Sequence, residues 1–240
     1  MRLLLIAAAL PLMGCNANAD RDDSAGGAAQ AAASSRSFAV SNFDGVDVRG
    51  PDNVDVKVGP SFAVVAEGDP AILGKLDIRV VDGDLRIGRQ TSQSWFGKDK
   101  GTVRVHVTAP RISDATITGA GALNVERVEG DVDATIAGAG DLVIGSVQAD
   151  DVELSIAGSG DMKVSGTTRR LKASIAGAGD IDASALAATS GDISIAGAGS
   201  LRGQVKGDAT VEILGVGDVE LTGGARCKTR TLGPGEARCS

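Results

Sequence analysis

The chain has 240 residues and a formal net charge of −7, with 42% hydrophobic residues but only 2% aromatic ones. An acidic balance lacks the electrostatic footprint that nucleic acid requires, so no nucleic-acid partner is expected. Every aromatic side chain (Phe38, Phe43, Phe62, Trp95, Phe96) precedes residue 100, which leaves the second half to build its core from Ile, Leu, Val, Ala and Gly. Such a core suits a thin, uniform cross-section better than a globule with large anchors.

Residues 1–14 read as a secretion signal, with Arg2 as the charged start and an apolar run from Leu3 to Met13. That run is shorter than the roughly 20 apolar residues a membrane-spanning helix needs. Its end, Leu12-Met13-Gly14-Cys15, resembles the lipobox of bacterial lipoproteins, which implies cleavage before Cys15 and a lipid on it. Asn16 in place of Asp then implies sorting to the outer membrane of a Gram-negative host. Residues 15–36 carry Asn, Asp, Ser, Gly, Ala and Gln with hardly a bulky apolar group, the composition of a flexible tether. Its root-mean-square span would be on the order of 25 Å.

A single β domain is expected over 37–240. Residues 37–110 alternate as strands do: Val46 and Val48, then Val54, Val56 and Val58, then Leu85 and Ile87, then Val103, Val105 and Val107. Asp82-Gly83 predicts a two-residue hairpin turn between Ile78–Val80 and Leu85–Ile87. Trp95 and Phe96 stand in a polar stretch, 91–101, that reads as an exposed loop. They are candidate partner contacts or, equally, caps for the domain.

From 111 to 222 one phrase returns. Gly-x-Gly pairs stand at 119/121, 138/140, 158/160, 177/179, 197/199 and 215/217, at spacings of 19, 20, 19, 20 and 18. Two residues before each pair lies an isoleucine: Ile117, Ile136, Ile156, Ile175, Ile195 and Ile213. Beyond the glycines a second apolar column holds Leu123, Leu142, Met162, Ile181, Leu201 and Val219, and Val128, Val147 and Leu186 hint at a third element. A period near twenty with strand-like flanks signals a solenoid whose repeats stack on one another. Independent hairpins would reverse alternate repeats and misalign these columns, whereas parallel stacking superposes each Ile on the next at about 4.8 Å. The expected fold is therefore all-β: a parallel β-helix of about 19-residue coils, right-handed by the usual crossover preference. Residues 37–110 would supply its first coils or a cap.

Apart from Cys15, the cysteines are Cys227 and Cys239. In an exported protein such a pair is most simply a disulfide, closing a C-terminal cap over 223–240. Arg226, Lys228, Arg230 and Arg238 surround it as a solvated end that resists aggregation.

Together these features resemble the bacterial head GIN domain family, labelled auto-transporter adhesins by analogy. The matching stretches are Phe43-Asp44-Gly45-Val46-Asp47-Val48, Val54 to Gly59, Gly83 to Ile87, Val105 to Pro110 and the Gly-Ala-Gly repeats. The resemblance spans about 37–222 and implies a β-helical domain on an exported or lipid-anchored protein. It supplies no functional residues.

Chemistry is sparse. His106, the one histidine, falls on the outward side of a strand, which leaves multi-histidine metal sites and a serine triad without support. The remaining candidate is an aspartate column after the glycines: Asp141, Asp161, Asp180 and Asp218. Stacked carboxylates could hold Ca²⁺ or act as the paired acids of a glycosidase or lyase. The simpler expectation is that each Asp bonds a backbone N–H at its own corner. The sequence therefore reads as a non-enzymatic, lipid-anchored envelope β-helix, cofactor-free and metal-free, that displays polar rows to an envelope polymer or protein. A carbohydrate-active enzyme using the aspartates, and an envelope assembly or stress factor, are its rivals.

Overall fold

The computed structural model describes residues 34–90 and 101–240. Cys15, Trp95 and Phe96 lie outside them, as do the signal and most of the tether read from the sequence. In chain order the elements are β1 (Ser34–Phe38), β2 (Gly45–Gly50), β3 (Asn53–Val58), β4 (Ala63–Gly68), the helix α1 (Pro70–Leu73), β5 (Leu76–Val81), β6 (Asp84–Arg89), β7 (Arg104–Ala109), β8 (Asp114–Gly119), β9 (Ala122–Val125) and β10 (Val128–Glu129). There follow β11 (Val132–Gly138), β12 (Asp141–Gly158), β13 (Asp161–Gly177), β14 (Asp180–Gly197), β15 (Ser200–Val205), β16 (Asp208–Gly215), β17 (Asp218–Thr222), β18 (Arg226–Leu232) and β19 (Glu236–Cys239).

From β8 onward each coil lies on the one before it in parallel register, forming a β-solenoid. The isoleucine column holds: Ile117, Ile136, Ile156, Ile175, Ile195 and Ile213 pair in turn and are all essentially buried. Leu123, Leu142, Met162, Ile181, Leu201 and Val219 do the same beyond the corner. The third element is real, since Val128 of β10 pairs with Val147. The long strands β12, β13 and β14 each run unbroken from one Gly-x-Gly corner to the next. Their register slips once per coil, between Ile144 and Val147 and between Lys163 and Ser165, and this absorbs the one-residue variation in repeat length.

The Gly-x-Gly pairs are required by the stacking itself. Gly158 has φ +144°, and a Cβ there would overlap the carbonyl oxygen of Gly138 in the preceding coil. A Cβ on Gly160 would overlap the Gly140 oxygen and press on the Ile136 methyl. The column extends past the six pairs legible in the sequence, to Gly50-Pro51-Asp52 at one end and Gly233-Pro234-Gly235 at the other.

At the N-terminal end, chain order and stacking order part company. The coil of β2 and β3 sits between that of β6 and β7 and that of β8 and β9, in parallel with both. The chain thus enters one coil inside the stack, runs outward, and returns through the β5–β6 hairpin to lay down the outermost coil. That hairpin turns on Asp82 and Gly83, at φ 57° and 95°. Positive φ at both central residues is the two-residue turn whose twist matches antiparallel strands. β1 and β4 add antiparallel rungs beside β7. α1 is capped by the Asp69 carboxylate, which accepts from Ala71 N at 2.7 Å, and it buries Ile72 and Leu73 against this end. Asp52, 1% exposed, locks the first coils together: it accepts from Arg89 through both oxygens and from Val103 N at 3.0 Å. Arg89 also donates to Gly101 O at 2.8 Å. A buried carboxylate survives only with such partners.

At the C-terminal end β18 pairs with β16 and β19 with β17. The inward column, Val211 and Ile213 in one coil, becomes Thr229 and Thr231 in the last. Cys227 and Cys239 are joined across this coil, with Cα atoms 6.5 Å apart. A polar interior closed by a disulfide ends the hydrophobic column without leaving an apolar face bare.

Gly158→Ala is expected to destabilise the fold by about 3 kcal/mol, since the added methyl meets backbone that cannot yield; thermal or urea unfolding measures it. Reducing Cys227–Cys239, or replacing both by Ser, should remove roughly 3 kcal/mol of loop-closure stabilisation. Faster amide exchange confined to 226–239, with the coils before it protected, is the expected reading.

Candidate functional site

The aspartate column is in register as a column. Asp141 pairs with Asp161, Asp161 with Asp180, Asp180 with Ser200, Ser200 with Asp218 and Asp218 with Glu236. Asp141, Asp161 and Asp180 line a shallow groove of about 390 Å³ together with Lys163 and Asp182. Two of the four do use backbone N–H donors, but those of the next coil rather than of their own corner. Asp180 Oδ1 accepts from Ser200 N at 2.8 Å and from its hydroxyl at 2.7 Å, and Asp218 Oδ1 accepts from Glu236 N at 3.1 Å. The reason is geometric: with coils one strand spacing apart, the nearest open N–H at the corner belongs to the coil above. Among the described residues no group of three or more His, Cys, Asp or Glu side chains is placed to hold a metal ion.

His106 lies half-exposed on β7, with Nδ1 3.8 Å from Asp55 Oδ2 and Nε2 3.9 Å from Glu67 Oε2. It is flanked by two carboxylates.

A larger concavity lies elsewhere, at the corner where the third side of the coil turns back into the isoleucine face. One groove of about 790 Å³ runs over Glu129, Asp131, Gln148, Asp150, Thr167 and Arg169. Another of about 550 Å³ runs over Asp114, Asp131, Asp133, Asp151, Glu153, Arg170 and Lys172. Arg111 lines both, and also a third hollow of about 330 Å³ walled by Phe43, Phe62 and Pro110. The rings of Phe43 and Phe62 lie 4.9 Å apart there, Phe43 buried and Phe62 half-exposed. Arg111 thus joins an aromatic shelf to a polar trough.

Cross-coil ion pairs order the trough wall. Arg169 Nε donates to Asp150 Oδ1 at 2.6 Å, Arg170 lies 3.1 Å from Asp151 Oδ1, and Lys172 donates to Glu153 Oε1 at 2.6 Å. The hydrogen bond from Arg169 holds Asp150 below the usual carboxylate range, and that to Glu153 holds Lys172 above the usual amine range. One coil earlier the carboxylates have no such row of cations. Burial raises Asp133, with Glu153 and Asp114 adding repulsion, against the hydroxyl of Thr135 and the charge of Lys172. Thr168, 6% exposed, braces the corner with its hydroxyl 3.0 Å from Asp150 O. The trough can accept hydrogen bonds from hydroxyl or amino groups through its carboxylates, and Arg111 can donate from one end. The sequence reading did not single out this corner. Its signal was present, since acid and base recur there one repeat apart.

Comparison with known proteins places the chain. A profile described as "putative auto-transporter adhesin, head GIN domain" matches residues 42–225. The chain belongs to the head GIN domain family. A crystal structure of a "putative adhesin" from Bacteroides fragilis superposes with a TM-score of 0.79 at 20% identity, covering 87% of this chain and 97% of that one. A "putative lipid binding protein" from Parabacteroides distasonis gives 0.68 at 18%, covering 87% and 96%. A "putative adhesin" from Parabacteroides merdae gives 0.66 at 16%, with the same coverage. At these identities the likeness establishes the fold. No curated protein matches the chain.

Asp133 keeps its proton to higher pH in the native state than in the unfolded chain. Its contribution to stability is therefore full below the ordinary carboxylate range and is lost as pH rises through its folded value. Asp133→Asn should raise Tm relative to the parent at pH 7 and lose that advantage near about pH 3, where both side chains are neutral. Thermal melts at the two pH values decide it.

Proposed function

We propose that this protein is a non-enzymatic, adhesin-like domain held at the cell envelope by a lipid on Cys15, engaging an envelope polymer or protein through its polar coil corners. The observation that carries this reading is the Arg111-centred corner, where a half-exposed aromatic, a guanidinium and rows of carboxylates lie side by side across successive coils. Sugars and extended chains suit such a surface, because hydroxyl and amide groups repeat along them as the coils do. The family's adhesin label supports the same reading. The glycan-cleaving alternative draws on the aspartate column, and the use of Asp180 and Asp218 to hold the next coil's backbone favours a structural duty for that column.

A protein anchored through Cys15 should fractionate with membranes, and Cys15→Ala should move it to the soluble fraction. Protease added to intact cells then separates an outward-facing domain, which favours adhesion, from an inward-facing one, which favours an assembly role. Glycan hydrolysis by the purified chain that disappears in Asp161→Asn would overturn the non-enzymatic reading.

A further inference from the structure

Among the described residues the last coil leaves the outer edges of β18 and β19 unpaired. β18 pairs on one side with β16, and among the described residues no strand pairs with its other side. Its outward side chains are Arg226, Lys228 and Arg230, at alternate positions, and they lie in register with Asp208, Thr210 and Glu212 of β16. Arg226 Nε donates to Asp208 Oδ1 at 2.9 Å, and Arg230 lies 3.8 Å from Glu212 Oε1, while both guanidinium groups stay about three-quarters exposed. Each guanidinium has five N–H donors, so one carboxylate on the inner side leaves donors for a second on the open side. Lys228 stands across from Thr210 and meets no carboxylate there. At the end of the row Leu232 is 55% exposed beside Leu214 at 41%, in register with it.

We propose that this edge is a docking surface for an extended acidic segment of a partner, added to β18 as a further rung. Open N–H and C=O groups along a strand accept any extended chain by strand addition. Side chains then choose among candidates, since opposite charges across a rung stabilise it and like charges oppose it. The rung already present shows what the row fits: acids opposite Arg226 and Arg230, and an aliphatic residue opposite Leu232.

A second copy of this chain does not meet that requirement. Pairing β18 with itself in antiparallel sets Lys228 against Arg230, and pairing it in parallel sets each cation against a cation. The opposite end of the solenoid presents β5, whose Asp77 and Arg79 are already paired with each other at 2.5 Å, and β1, whose one charged residue is Arg36. Cations on an edge strand commonly block self-association; here the same cations admit an acidic guest.

The test uses the oxidised full chain and a synthetic peptide of residues 208–214, whose register against β18 is known, beside a control with its Asp and Glu replaced by Lys. Amide protection is mapped by hydrogen exchange or NMR, and affinity by fluorescence anisotropy at low and high salt. The expected result is new protection confined to 226–232, binding roughly tenfold weaker for the control peptide, and weakening with salt. Lys228→Glu should weaken the acidic peptide and strengthen the control; because Thr210 faces it, this variant should melt as the parent does. No added protection in β18 at millimolar peptide, equal binding of both peptides, or dimerisation of the chain through β18 would each overturn the proposal.

Discussion

Backbone contact between glycines sets the geometry on which everything else in this protein rests. At the Gly-x-Gly corner, successive coils approach so closely that a single Cβ would overlap the carbonyl of the coil below. That closeness keeps the six isoleucines stacked at strand spacing, with β12, β13 and β14 each unbroken between corners. A solenoid coil buries too little apolar surface to stand alone, so its stability is shared with its neighbours. The glycines therefore decide whether the sharing happens at all. They also explain why the core of the regular repeats can dispense with aromatic side chains: the cross-section is narrow enough for Ile, Leu, Val, Ala and Met to fill.

Stacking turns sequence separation into spatial adjacency. Asp150 with Arg169, Asp151 with Arg170 and Glu153 with Lys172 are each 19 residues apart and meet across one strand spacing. Asp208 with Arg226 and Glu212 with Arg230, 18 apart, meet in the same way at the end of the stack. Exposed pairs of this kind contribute little to stability one by one. Their larger effect is to pattern the surface, placing balanced charge along one corner and a row of half-used cations at the terminal edge. The corner around Arg111 and the edge of β18 are thus two outcomes of one rule.

The two ends are finished by different devices, because they present different problems. At the start the chain folds back on itself, covering the first coil with antiparallel strands, a helical turn and the buried Asp52–Arg89 pair. At the finish, threonines replace the interior aliphatics and a disulfide spans the last coil. Capping the hydrophobic column is the common requirement. Among the described residues both ends keep edge strands, β1 and β5 at the start and β18 and β19 at the finish, but only β18 carries an alternating row of cations.

The repeat was legible because its cause is local and periodic: a glycine demanded at every coil, an isoleucine beside it, and a polar residue between apolar ones. Those positions determined the parallel coil and the inward columns, while the Asp82-Gly83 dipeptide and the two C-terminal cysteines announced the hairpin and the disulfide. Tertiary structure alone decided the order of the first coils, because a strand such as β2 has two hydrogen-bonding edges of equal appeal and nothing in its own residues says which coil will lie on each side. It also decided that Asp180 and Asp218 serve the next coil's backbone, and that Phe62, Arg111, Asp131 and Lys172 share one corner. Such neighbours are set by how much each turn slips against the last, a sum over the whole stack that no single stretch of the chain records.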